Sequence, residues 1–144
     1  MPNRNEIAEF LSKVPLFKTL RKRQLEGLAR VIVVQEYEAG QEIVTQGKSG
    51  VGLFVVASGR AEAVHVRADG TKAVVNVFSS TDFFGELALL TEGPRTASVV
   101  ATEPTQCLVL TRWNFLGVLR GDAEMAISIL EELAWRFYAA LEVL

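Results

Sequence analysis

Apolar positions change their spacing twice along the 144-residue chain. From Asn5 to Ser12, the residues Ile7, Ala8, Phe10 and Leu11 recur at helical spacing. The pattern ends at Val14, because a residue that precedes a proline, here Pro15, is pushed out of the helical region. A second short helix is expected next, with Thr19 as its cap and Leu20, Leu25 and Leu28 on its apolar side. It leads into Val31-Ile32-Val33-Val34, a β-branched run that favours a strand.

Between Val31 and Leu110 the pattern consists of short β-rich runs separated by turn signals at Ala39-Gly40, Gln46-Gly47, Ser58-Gly59, Asp69-Gly70 and residues 79–82. Eight strands are predicted, at 31–37, 42–45, 51–57, 60–67, 72–78, a short piece before 84, 97–102 and 105–111. Strands this short at about ten-residue spacing describe a sandwich or barrel. Gly59 and Asp69-Gly70 have hairpin-turn chemistry. The expected fold is mainly β, an antiparallel eight-stranded jelly roll over 31–111 with a single helical interruption between Gly85 and Arg95. After Leu110 the period becomes helical again. Thr111 is expected to cap a short helix to Leu119, Gly121 to break it, and Asp122 to begin a longer helix. There Ile127, Leu130, Ala134, Phe137, Leu141 and Leu144 form a stripe.

Composition narrows the function classes. The length suits one domain spanning 1–144, and 49% apolar content is enough for a core without disulfides or metal. A net charge of −2 argues against a general polyanion-binding surface, and the one basic cluster, Arg21-Lys22-Arg23, reads as a solvated helix face. Cys107 is the sole cysteine and lies in an apolar run, so a buried thiol and a reducing, cytoplasmic setting are expected. No apolar run approaches the roughly 18 to 20 residues that span a bilayer, and no charged-then-apolar leader opens the chain.

The chemistry concentrates between Phe83 and Val99, in F-F-G-E-L-A-L-L-T-E-G-P-R-T-A-S-V. Gly85 allows a bare backbone to approach a ligand and offer N–H groups. Residues 86–90 have the composition of one helical turn, which would place the N–H groups of Glu86 and Leu87 at a helix N-terminus that suits a phosphate. A carboxylate beside a phosphate needs another partner, and a ribose hydroxyl is a suitable donor for Glu86. Arg95 supplies a guanidinium that can fork onto two phosphate oxygens, and Pro94 stiffens its approach.

The G-E-L-A-L-L segment, a short loop and P-R-T-A-S-V together resemble the phosphate-binding cassette of the cyclic nucleotide-binding domain family. V-P-L-F-K-T-L at 14–20 resembles that family's helical lead-in. The resemblance implies a non-catalytic sensor for cAMP, and also for cGMP. Gly85 and Leu87 would give backbone N–H groups, Glu86 would take the ribose 2′-hydroxyl, Arg95 would neutralise the phosphate, and Thr96 and Ala97 would add further donors. Val75 and Val77 would line the base or ribose pocket. Trp135, Tyr138 or Arg136 on the last helix would meet the base, and that helix would act as a lid or pair with a second copy or partner protein. No cofactor beyond the nucleotide and no metal, nucleic acid or membrane contact is implied.

Competing signals are weaker. Gly47-Lys48-Ser49 lacks the earlier glycine of a phosphate loop, and His65 is the sole histidine, with no second ligand at metal spacing. Glu86 as a general base is set against its role as an ionised ligand group held by Arg95. Two other readings stay open: the sensing piece of a DNA-binding regulator, and a jelly-roll interaction module that no longer binds nucleotide.

Overall fold

The structure is a computed structural model that describes residues 2–48, 52–85 and 95–142. The chain forms two compact units, a β unit at 32–112 and a helical unit made of 1–31 and 113–144.

The β unit holds eight strands: β1 Val33–Tyr37, β2 Glu42–Val44, β3 Gly52–Ser58, β4 Ala61–Val66, β5 Lys72–Phe78, β6 Phe83–Phe84, β7 Ser98–Ala101 and β8 Thr105–Thr111. They form two four-stranded sheets, ordered β1-β8-β3-β6 and β2-β7-β4-β5, with antiparallel pairing throughout. This is the predicted jelly roll, with strand bounds within two residues of expectation. The turns follow from residue chemistry: Gly59 and Gly70 adopt φ of +95° and +88°, a region that residues with a Cβ avoid.

The inner faces of the sheets meet in one core. Val56, Phe84 and Cys107 come from the first sheet, and Ala61, Ala63, Phe78 and Val99 from the second. Small alanines on β4 opposite large aromatics let the layers interdigitate. Burial pushes the Cys107 thiol up to about 12, which agrees with the inert, buried cysteine expected from sequence. On β5 the pairing shifts from Ala63↔Asn76 to Val64↔Val74, so the strand carries one extra residue, Val75, at a bulge.

In the helical unit, α1 runs Arg4–Leu11, a 3₁₀ turn Pro15–Phe17, α2 Lys22–Ala29, α3 Arg112–Arg120 from the end of the β unit, and α4 Ala123–Glu142. Asn3 caps α1 by accepting from the Glu6 N–H at 2.9 Å. Asp122 begins α4 as expected and accepts from the Met125 N–H at 3.0 Å. That bond and the Gln24 amide hold the Asp122 carboxyl below its usual range.

Two expectations are corrected here. Thr19 does not cap α2. That helix starts at Lys22, where Gln24 reaches back to accept from the Arg21 N–H at 2.9 Å. The stripe Ile127, Leu130, Phe137 and Leu141 is not the buried side of α4 either. These residues are between 45% and 64% exposed, while Met125 and Ile129 are buried. The helix is apolar on two sides, and periodicity alone cannot choose between them.

Candidate functional site

Arg95 is fixed by its backbone before its side chain is considered. Its N–H donates to the Lys48 carbonyl at 2.9 Å, and its own carbonyl accepts from the Gly47 N–H at 2.8 Å. The turn that carries those residues is anchored in its own right. Gln46 donates its backbone N–H to the Ser98 hydroxyl at 2.9 Å. Its side-chain amide accepts from the Val66 N–H at 2.7 Å and donates to the Val66 carbonyl at 2.9 Å. A side chain thus completes the ladder at the end of β4, and the turn then holds Arg95 at the entry to β7.

The half-buried guanidinium reaches back to β3, where Nη2 donates to the Gly52 carbonyl at 3.0 Å. It also lies over the Phe54 ring, 5.7 Å from the centroid. Phe54 stacks on Phe84 at 5.2 Å, and Phe84 touches Phe78 at 5.0 Å. The cation therefore rests at the end of a row of aromatic rings that continues into the core.

Gly85 follows Phe84 directly, and two constraints require a glycine there. Its φ is +87°, and a Cβ would fall on the Arg95 guanidinium and 2.6 Å from the Gly52 carbonyl. Sequence reasoning assigned Gly85 to close approach by a ligand. In the structure the space beside it also admits the guanidinium.

Thr96 and Ala97 continue from Arg95 into β7, and Ala97 packs on the β core. Glu86 and Leu87 lie outside the described residues, as does the expected helical turn at 86–90. On β5, Val75 and Val77 are both exposed. Val77 alternates with core-facing Phe78 and so stands on the opposite side of the sheet, while Val75 is the bulge residue. In the helical unit Trp135, Arg136 and Tyr138 are exposed, and the Trp135 and Tyr138 rings contact each other at 5.9 Å.

Sequence reasoning missed Gln46, Gly47, Lys48, Gly52 and Phe54 as supports of the arginine, and gave His65 no role in the site. Four of the six act wholly or partly through their main-chain groups and leave no side-chain signature. His65 is placed by alternation on the core-facing side of β4 with Ala61 and Ala63, and its Nδ1 lies 3.0 Å from the Thr96 carbonyl. Among the described residues no group of His, Cys, Asp and Glu could hold a metal ion.

The family described as cyclic nucleotide-binding domain matches residues 34–122, from β1 through the start of α4. The chain belongs to the cyclic nucleotide-binding domain family. It is 34% identical over 126 residues to the cGMP-dependent protein kinase egl-4 of Caenorhabditis elegans, a match that covers 86% of this chain and 16% of the kinase. Its fold is similar to the N-terminal domain of a transcriptional regulator from Streptomyces coelicolor A3(2), with a TM-score of 0.85, 26% identity and 94% of each chain covered. It is also similar to the cAMP-bound regulatory domain of Toxoplasma gondii PKA, with a TM-score of 0.80 and 25% identity over 94% of this chain and 50% of that one. The chain thus spans about a sixth of the kinase it matches.

Proposed function

We propose that this chain is a non-catalytic cyclic nucleotide sensor whose phosphate site is built on Arg95. The observation that carries the reading is the Gly85–Arg95 pair. A guanidinium is held by the Gly52 carbonyl and an aromatic face beside a glycine in the left-handed region, within a fold whose family binds cyclic nucleotides. An arginine positioned in this way meets a monoanionic phosphodiester with little reorganisation. Thr96 and Ala97 supply further donors, Glu86 takes the ribose 2′-hydroxyl, and Leu87 gives an N–H. The similar kinase is named for cGMP and the similar regulatory domain holds cAMP, which supports these two ligands. cAMP is the main ligand and cGMP binds as well, because the Thr96 hydroxyl can accept from the guanine 2-amino group, a donor that adenine lacks.

Ligand binding tightens the cassette and draws the C-terminal helix toward the base, with Trp135, Tyr138 or Arg136 as the contact, and so provides the two states of a switch. The same helix pairs with a second copy. The exposed residues Ile127, Leu130, Ala134, Phe137 and Leu141 follow alternating three- and four-residue steps, the spacing of a coiled-coil seam rather than of a globular core. The setting is cytoplasmic, and among the described residues no helix is long and apolar enough to cross a membrane.

Calorimetry with cAMP and cGMP on protein that has been unfolded and refolded tests the reading, since refolding removes any nucleotide carried through purification. Binding of either nucleotide without conversion to the linear monophosphate is expected. Turnover that depends on Glu86 would make the protein an enzyme. Thr96→Ala should weaken cGMP more than cAMP, by the roughly 0.5 to 1.5 kcal/mol of one neutral hydrogen bond.

A further inference from the structure

We propose that His65 is a positioning residue of the phosphate site, holding the Thr96 main chain through Nδ1 and strengthening anion binding when its ring is protonated. The proposal rests on the reading of Arg95, Thr96 and Ala97 as the anion site. His65 is the only histidine in the chain, and β4 alternation sets it on the same side as buried Ala61 and Ala63. Its Nδ1 is 3.0 Å from the Thr96 carbonyl, one residue from the arginine. A carbonyl oxygen only accepts, so Nδ1 carries the proton. Nε2 is then an acceptor in the neutral ring and a second donor in the cation.

This bond lies where the ladder ends. The last β4–β7 pair is Val64↔Ser98. Beyond it, the Gln46 amide takes both backbone groups of Val66, and the imidazole takes the Thr96 carbonyl. The Thr96–Ala97 peptide is trans, so aiming its carbonyl at His65 turns the Ala97 N–H the other way and polarises it as a donor. His65 thereby sets the orientation of one of the proposed phosphate donors without touching the ligand through its own backbone.

The charge environment sets the sign of the pH effect. Among the described residues, the charged groups on the elements around the ring are Lys72 beside its β5 partner Ala73, Lys48 in the turn, Arg95 ahead of Thr96, and Arg67 after β4. Asp69, at the tip of the β4–β5 hairpin, is engaged by Thr71, and Glu62 alternates onto the other face of β4. Four cations thus surround one titratable imidazole. An anionic phosphodiester brought into this field favours the protonated ring, so binding takes up a proton. By linkage, affinity then rises as pH falls through the imidazole range near about 6.5.

The test is calorimetry of the whole chain with cAMP between pH 5.5 and 8.5, for wild type, His65→Asn and His65→Leu, with the imidazole proton resonance followed by NMR in parallel. Wild-type affinity should rise about three- to tenfold from pH 8 to pH 5.5, the size expected of one partly screened charge pair. The His65 resonance should titrate at higher pH with cAMP bound than without it. His65→Asn keeps a donor for the Thr96 carbonyl, so it should match wild type at pH 8 yet give a flat profile. His65→Leu should be weaker at every pH and equally flat. A wild-type profile that the two variants reproduce, with binding intact, would overturn the role of His65. Absence of cAMP binding by wild type at every pH would overturn the anion site and this proposal with it.

Discussion

The Arg95 cluster and the second half of α4 differ in how much of their recognition chemistry is already satisfied within the chain. Around Arg95 the described groups have partners: main chain to Gly47 and Lys48, guanidinium to Gly52 and Phe54, and Gly85 shaped to admit it. Along α4, a row of large apolar side chains from Ile127 to Leu141 is exposed. The first region can bind a ligand as it stands, because its ordering cost is met during folding. The second has apolar surface to bury, so its stability depends on what it meets. Sensing chemistry therefore belongs to the rigid region, and response to the incompletely buried one.

The largest expected effect tests the rigid side. Gly85→Ala forces a Cβ onto φ of +87° and into the Gly52 carbonyl. A loss of about 2 kcal/mol or more is expected, seen as a melting point lower by several degrees and as loss of cAMP binding. A variant with wild-type melting and affinity would show that this corner is not preorganised.

Arg95→Ala comes next. Binding should weaken tenfold to a hundredfold or more, since each charge-assisted hydrogen bond contributes about 1.5 to 3 kcal/mol. Its melting point should fall less than that of Gly85→Ala, because nothing is forced into the space the guanidinium leaves. Equal cAMP affinity in wild type and variant would remove Arg95 from the site.

A third effect separates core from site through pH. The Cys107 thiol is raised from 9.0 to about 12 by burial, so the fold favours its protonated form. That contribution is complete below about pH 9 and is lost as pH rises toward 12. Burial raises the Tyr37 phenol as well, with the Cys107 charge as the lesser cause. Denaturant melts should show stability falling across this window, and Cys107→Ala should flatten the fall without abolishing it. Nucleotide affinity relative to Arg95→Ala should not follow the same curve.

The smallest effect on folding is expected from α4. Leu130→Gln or Phe137→Gln should change monomer stability by no more than about 0.5 kcal/mol, because both side chains are exposed. Sedimentation should show the variants as monomers where wild type is a dimer. A large loss of stability in dilute monomer would instead return the stripe to the core.

The same contrast explains what could be read in the sequence. The strands were legible because β-branched runs alternate with glycines whose positive φ the turns require, as at Gly59 and Gly70. Arg95 and Gly85 were legible because few other residue types can do what they do. The start of α2 was misplaced because the cap came from Gln24 reaching backward rather than from Thr19 reaching forward. The buried side of α4 was misjudged because Met125 and Ile129 share that helix with a second apolar stripe. Gln46 and His65 escaped because both grip main-chain groups, which every residue offers.

The Gln46 turn also ties together segments far apart in sequence. The amide protons of Gln46, Gly47, Val66 and Arg95 are all engaged through this one turn, to the Ser98 hydroxyl, the Arg95 carbonyl, the Gln46 side chain and the Lys48 carbonyl. In hydrogen exchange such a set opens as one cooperative unit, so its four amides should share a single opening free energy. Replacing one side chain, Gln46, would then release protons nearly fifty residues apart at the same rate.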